Sequence, residues 1–131
     1  MSRIQDDQWC FACGPHNPHG LHLSAFRREG ADYVVDFLPQ RHHQGWQGLT
    51  HGGIVATLLD EAMTRLLRET GYSAVTAEMT VRYHRPTPTG EPVQVRARQV
   101  AQRGRLVQTE AELLDQEGRA LASASGKFML V

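Results

Sequence analysis

The sequence predicts an α+β domain in which one long helix lies against an antiparallel sheet of about six strands. Residues 50–70 have the apolar spacing of a long amphipathic helix, and the segments on both sides of it alternate apolar and polar residues as strands do. Short turn sequences separate the later strands, and strands joined by tight turns pair antiparallel. A helix of about 20 residues and strands of about 10 residues have matching lengths of about 30 Å.

Length and composition favour a single domain spanning residues 1–131, of which residues 1–20 are irregular. The 131 residues carry 14 Lys+Arg and 14 Asp+Glu, so the formal net charge is zero. Balanced charge argues against a nucleic-acid partner. No apolar run reaches the roughly 18 residues of a membrane-spanning helix, and the first residues lack the pattern of a signal peptide. We therefore expect no membrane association and a cytoplasmic location.

The segment before the helix predicts a hairpin. Residues 21–27 alternate, residues 29–32 form a turn signal, and residues 33–38 have the pattern of a second strand. A loop is expected over residues 39–50.

The helix prediction rests on its ends and on its faces. Thr50 can act as the N-cap, and Gly71 has the character of a residue just past the C-terminus. Glu61 and Arg65 are expected on the solvent side as an i,i+4 pair. The apolar face comprises Ile54, Val55, Leu58, Leu59, Ala62 and Leu66.

Four strands are expected after the helix, over residues 75–84, 93–98, 107–113 and 120–130, with turns at 86–90, 103–105 and 115–118. Strict alternation in the first of them places Thr76 on the face opposite Met79. The last strand carries small residues on one face, which would let the helix approach closely. One helix covers only part of such a sheet, so we expect a homodimer or a dimer of such dimers.

The start of the helix is the most informative segment for function. His51 is followed by Gly52 and Gly53, and glycines there allow another group to approach the backbone. A helix N-terminus offers free N–H groups that can polarise a carbonyl. Asp60 follows about 12 Å along the axis. Its expected neighbours are mostly apolar, and desolvation favours a carboxyl group that accepts protons near neutral pH.

The element order, the His51-Gly52-Gly53 opening and the Asp60 spacing together resemble the hotdog-fold acyl-CoA thioesterases. The similarity is closest to the phenylacetate-pathway thioesterase and to the thioesterase-superfamily-member-like group, and it extends to residues 10–21 and 76–86. The resemblance implies a hotdog fold and hydrolysis of an acyl-CoA thioester to a free acid and CoA. It implies no cofactor, since CoA is part of the substrate.

The resemblance also implies roles for individual residues. Asp60 would act as the general base or as the nucleophile, and the Gly52 N–H would bind the thioester carbonyl. Thr76 would orient the attacking water. In such enzymes the site forms between two subunits, so Gly52 and Asp60 of one site would come from different chains.

Candidate substrate-binding residues surround these positions. The family often has an amide side chain six residues before the histidine, where this chain has Gly45, and Gln44 is its neighbour. Arginine suits phosphate recognition, so arginines after the helix are candidates for the phosphates of CoA. The full set is His51, Gly53, Gln44, Trp46, Arg82 and Arg85.

Other chemistry remains open at this point. A hotdog dehydratase or hydratase would use a histidine with a helix acid, here His51 with Asp60 or Glu61, and a non-catalytic acyl-CoA-binding protein would need neither. Cys10 and Cys13 form a Cys-x-x-Cys that could bind zinc together with the nearby histidines His16, His19 and His22. The commoner role of such a segment is packing, and we predict no metal.

Overall fold

The computed structural model describes residues 4–131 and contains the predicted order of two strands, one helix and four strands. A short 3-10 turn at Arg41–His43 lies between the hairpin and the helix. The elements are β1 (Arg27–Glu29), β2 (Asp32–Phe37), α1 (Gly52–Glu69), β3 (Ala74–Tyr83), β4 (Val93–Arg103), β5 (Leu106–Leu114) and β6 (Ala120–Leu130).

The six strands form one antiparallel sheet in the order β1-β2-β4-β5-β6-β3. The helix packs across the inner face of this sheet, which confirms the predicted hotdog fold. The sheet ends on one side at the three-residue strand β1 and on the other at the ten-residue strand β3. Within residues 4–131, no helix has the length and hydropathy required to cross a bilayer.

The core lies between α1 and the sheet, and small residues on β6 set their spacing. A Cβ atom built on Gly126 would lie 2.8 Å from Cε1 of Phe128 and 3.2 Å from Cε and Sδ of Met63. Both neighbours are fully buried, so neither side chain has free space to move into. The small residues on the last strand therefore allow close helix packing, as predicted.

We expect Gly126→Ala to lower the free energy of unfolding by about 1–3 kcal/mol, because the added methyl group overpacks the helix–sheet interface. Urea unfolding followed by circular dichroism measures the change. Ser125→Ala is the matched control, since Ser125 is exposed on the same strand. Equal stability of the two variants would contradict the expected overpacking.

The first predicted strand is wrong over most of its length. Residues 21–26 are irregular, and β1 contains only Arg27–Glu29. Leu21 and Leu23 are buried as the alternation suggested, but their N–H groups donate to the carbonyls of Phe11 and Ala12. His22 has a φ of 54°, which interrupts an extended strand. The apolar alternation thus reflects packing under the N-terminal segment and not strand pairing.

The predicted helix is confirmed, with a different N-cap. The cap residue is His51, whose Nδ1 accepts a hydrogen bond from the Gly53 N–H at 2.8 Å, and the Thr50 hydroxyl has no partner within residues 4–131. Gly71 has a φ of 93°, which confirms its predicted place after the helix.

The predicted exposure of Glu61 is wrong. Glu61 is buried, with 8% of its surface accessible, because the N-terminal segment crosses that face of α1. Cys10 Sγ lies 3.9 Å from Glu61 Oε1, and Arg68 forms a 3.3 Å ion pair with Asp6. Helical periodicity alone cannot indicate that a distant irregular segment covers the polar face.

A β-bulge in β3 changes the predicted faces of that strand. Thr76 pairs with Phe128 and Glu78 pairs with Lys127, so Ala77 is an extra residue in the ladder. Thr76 therefore shares the inner, helix-facing side with Met79, where strict alternation placed them on opposite faces. The bulge directs the Thr76 hydroxyl toward α1.

Candidate functional site

The first turn of α1 presents an amide that the fold leaves open. The Gly53 N–H is used by the His51 ring, and the next N–H groups, of Ile54 and Val55, donate to the His51 carbonyl. The Gly52 N–H has no acceptor within the part of the chain that the structure describes. It is also at the positive end of the helix dipole. This amide can donate to an oxygen that carries developing negative charge.

The Tyr83 side chain fixes the position of this turn. Its hydroxyl donates to the Gly52 carbonyl at 2.8 Å, and its ring passes about 3.6 Å from where a Cβ of Gly52 would lie. No sequence pattern indicated this contact beyond the inner-face position of Tyr83 on β3. Tyr83 is the last residue of β3, and its inner-face position beyond the bulge places it against the first turn of α1.

Asp60 and Thr76, predicted from the helix and from β3, are in direct contact. The Thr76 Oγ1 donates to Asp60 Oδ1 at 2.7 Å. Burial raises the pKa of the half-buried Asp60 carboxyl above its ordinary value, and the hydrogen bond from Thr76 lowers the pKa in part. The arrangement holds a desolvated carboxylate in one orientation.

The open amide and the carboxylate are separated along the helix. Gly52 and Asp60 are eight residues apart, or about 12 Å by helical rise, which exceeds the reach of a single thioester group. Both groups are near β3, the long edge strand, whose outer edge has no neighbouring strand within residues 4–131. One chain therefore does not bring the open amide and the carboxylate within reach of the same thioester group.

A cleft of about 590 Å³ lies one helical turn beyond Asp60, and neither Asp60 nor Thr76 lines it. Thr64, one turn after Asp60, and Ala74, two residues before Thr76, both line it. Trp9 and the irregular N-terminal segment form the opposite wall. The cleft is large enough for a small acyl group.

A groove of about 510 Å³ lies beside the open amide. Trp46, Thr87 and Gly52 line this groove, and the Trp46 side chain is 84% exposed. Arg85 lines an adjoining groove that also contains Gly52.

The structure brings some of the predicted binding residues together and separates others. Arg85 lies near Gly52, whereas Arg82 is on the outer face of the sheet beside Arg96 and Arg98. The Gln44 amide oxygen accepts from the Gly48 N–H at 3.1 Å, within its own loop.

The Cys-x-x-Cys segment lies against the helix and not among the histidines. The Sγ atoms of Cys10 and Cys13 lie within 4.8 Å of each other and of a Glu61 oxygen, and none of the three nearby histidines belongs to this cluster. Helical periodicity did not indicate Glu61 as part of this cluster, because its burial depends on the path of the N-terminal segment.

Comparison with known proteins gives a family and a shared fold. The family model described as "Thioesterase superfamily" matches residues 47–122. A curated relative, the "Uncharacterized mitochondrial membrane protein FMP10" of Saccharomyces cerevisiae, is 35% identical over 89 residues, or 64% of this chain. The chain spans only 36% of that relative's length.

Solved structures share the fold. The thioesterase superfamily protein RHA08564 has a TM-score of 0.85 and 24% identity over 98% of this chain and 68% of its own. Streptococcus mutans smu.793 bound to acetyl CoA has a TM-score of 0.75 and 19% identity over 83% and 86%. The E. coli PaaI protein from the phenylacetic acid degradation operon has a TM-score of 0.77 and 20% identity over 85% and 80%.

Proposed function

Because this chain belongs to the thioesterase superfamily, we propose that it hydrolyses an acyl-CoA thioester to a free acid and CoA. The observation that carries the proposal is the Asp60 carboxylate, half-buried and hydrogen-bonded by Thr76, on the same helix that presents an open amide at Gly52. Thioester hydrolysis needs a base for water and a donor for the oxyanion, and these groups supply both.

In the proposed reaction, Asp60 accepts a proton from a water molecule as the water oxygen attacks the thioester carbon. The Gly52 N–H donates to the carbonyl oxygen as it gains negative charge. The carbon–sulfur bond then breaks, the CoA thiolate leaves, and the proton returns to the sulfur. Thr76 holds the carboxylate so that its other oxygen faces the water.

We propose that the working site forms between two chains. The carboxylate and the amide of one chain are too far apart to act on one thioester, so a second copy must supply one of them. The exposed edge of β3 favours such pairing, since unpaired strand edges seek partners. Val75 on this strand is 44% exposed and Tyr83 is 55% exposed, which gives the edge apolar surface to bury. The expected homodimer, or dimer of dimers, stays a prediction, as does the cytoplasmic location.

Acyl-CoA is the proposed substrate class. The likeness to smu.793, which was solved with acetyl CoA, supports this choice. The cleft one helical turn beyond Asp60 has room for the acyl group, and the grooves beside Gly52 have room for the CoA portion. Arg85 lines the same groove as Gly52, which makes it a candidate to contact the CoA portion of the substrate.

The His51 contact favours hydrolysis over dehydration or hydration. A dehydratase of this kind would use His51 as its acid or base. Here the Nδ1 atom is engaged as the helix cap, accepting from the Gly53 N–H, and this contact supports a structural role for the ring.

Thiol release from a panel of acyl-CoA esters tests the proposed function. We expect a disulfide reagent to report free CoA from at least one short, aromatic or long-chain ester, with turnover above that of a protein-free control. Tight acyl-CoA binding without thiol release would instead support a non-catalytic binding protein. Hydration of enoyl-CoA without thiol release would support the dehydratase class.

We expect Thr76→Val to lower kcat about tenfold or more, because a hydrogen bond to a charged group contributes about 1.5–3 kcal/mol. Thr76→Ser keeps the hydroxyl and should retain most of the activity. Steady-state kinetics on the best ester from the panel measures both. A serine variant as impaired as the valine variant would show that the hydroxyl is not what matters.

A further inference from the structure

We propose that Cys10, Cys13 and Glu61 bind a single Zn²⁺ ion that fastens the N-terminal segment to α1. Their ligand atoms lie within 4.8 Å of one another, and Cys10 Sγ is 3.9 Å from Glu61 Oε1. The site uses none of the proposed catalytic groups, although Glu61 follows Asp60 in the chain and Cys10 lines the cleft assigned to the acyl group. The proposal does not depend on thioester hydrolysis.

The backbone around the two cysteines is folded for thiolate ligands. The Cys13 N–H points at Cys10 Sγ from 3.5 Å, and the Gly14 N–H donates to the Cys10 carbonyl at 2.8 Å. A Cβ on Gly14 would lie 2.4 Å from the Cys10 nitrogen, so only glycine fits after the second cysteine. An amide directed at sulfur stabilises a metal-bound thiolate, as second-shell donors do. The turn thus holds both sulfur atoms on the side that faces Glu61.

Glu61 supplies the observation that points to a cation. The residue is more than nine-tenths buried, and its Oε2 atom has no hydrogen-bond partner within residues 4–131. A buried carboxylate with an unpartnered oxygen is costly unless a cation or donor satisfies it.

The distances suit a tetrahedral ion after small side-chain movements. With Zn–S bonds of about 2.3 Å and Zn–O bonds of about 2.0 Å, tetrahedral geometry places two sulfurs about 3.8 Å apart and sulfur and oxygen about 3.5 Å apart. The Cys10–Glu61 distance of 3.9 Å is close to this value. Cys10 also lines the cleft beside Thr64, from which water can reach the fourth position.

Charge and ligand type favour Zn²⁺. Two thiolates and one carboxylate carry three negative charges, which Zn²⁺ and the nearby Arg65 guanidinium together neutralise. Thiolates select zinc over Mg²⁺ or Ca²⁺, which prefer all-oxygen sites. Binding replaces the protons of both thiols and of any protonated Glu61, and these protons go to solvent.

The test uses the full chain, purified without an affinity tag or chelator and kept reduced by a phosphine. We expect elemental analysis to find one equivalent of Zn²⁺ per chain. Chelator-treated protein should take up Co²⁺ and show thiolate-to-cobalt charge-transfer absorption. Glu61→Gln and Cys13→Ser should each weaken Zn²⁺ binding at least about tenfold in competition with a chromophoric chelator. Added Zn²⁺ should raise the Tm of the wild type but not of Glu61→Gln.

His19→Ala is the matched control, because His19 is exposed in the same segment but lies outside the cluster. Its Zn²⁺ affinity should equal that of the wild type. Loss of binding in this variant with full binding in Glu61→Gln would overturn the proposed ligand set. If the ligand variants fail to fold, the wild-type Co²⁺ spectrum decides: absence of thiolate absorption with excess metal would show that the cluster binds no metal.

Discussion

Asp60→Asn is expected to lower kcat by a factor on the order of 10²–10⁴, the range over which a positioned general base contributes. Asparagine has almost the same shape as aspartate, and its amide oxygen can still accept the hydrogen bond from Thr76. What it loses is the ability to accept a proton from water. Since burial disfavours the charged carboxylate, we expect the free energy of unfolding to be unchanged or slightly higher.

Stopped-flow and steady-state thiol release on the best acyl-CoA ester measure this effect. Glu69→Gln is the matched control, because Glu69 is an exposed carboxylate on the same helix. That variant should keep wild-type kinetics. Activity of Asp60→Asn within twofold of the wild type would remove Asp60 from the mechanism.

Gly52→Pro is expected to lower kcat by a factor on the order of 10²–10³, the effect of removing one oxyanion donor. Gly52 is the first residue of α1, where proline is well tolerated in helices. His51, with φ of −58° and ψ of 136°, already has the extended backbone required before proline. The substitution therefore deletes the open N–H with little effect on the helix.

Gly52→Ala is the control for added bulk, since it keeps the N–H and its Cβ makes ordinary contact with Tyr83 at about 3.6 Å. The alanine variant should retain most of its activity, and both variants should keep the wild-type circular dichroism spectrum. Equal loss in the two variants would attribute the effect to crowding and not to the amide.

Mixing the two inactive variants tests whether the site is shared between chains. In a heterodimer of Asp60→Asn with Gly52→Pro, one of the two shared sites combines the intact amide of the first chain with the intact carboxylate of the second. Unfolding and refolding an equimolar mixture should therefore restore about a quarter of wild-type activity. No recovery, with heterodimers demonstrated by mass spectrometry, would show that each site is built from one chain.

The predicted helix and strands rest on local physical chemistry. Apolar residues at helical spacing from Ile54 to Leu66 bury one face wherever the helix lies, and Gly71 ends it because glycine readily adopts positive φ. The turn at Gly104 also follows from local sequence, because glycine readily adopts its φ of 61°. Close packing at Gly126 follows from the absence of a side chain at that position. Asp60 was predicted from its spacing and apolar neighbours together with the family resemblance.

The errors arise where distant segments meet. Helical periodicity placed Glu61 in solvent, but the N-terminal segment covers it. Strand alternation placed Thr76 on the outer face, but the bulge at Ala77 reverses the side. Thr50 was a chemically reasonable cap, yet the His51 ring takes that role.

The sequence by itself determined the order of elements, the amphipathic helix and the residues that begin it. Hydrophobic periodicity and turn preferences depend only on residues that are close together in the sequence. Only the tertiary structure decided that Thr76 touches Asp60, that Tyr83 holds the first helical turn, and that two cysteines meet Glu61. Such contacts depend on strand register, on a single extra residue in a ladder and on the path of an irregular segment. These features follow from the packing of the whole chain, which no local pattern encodes.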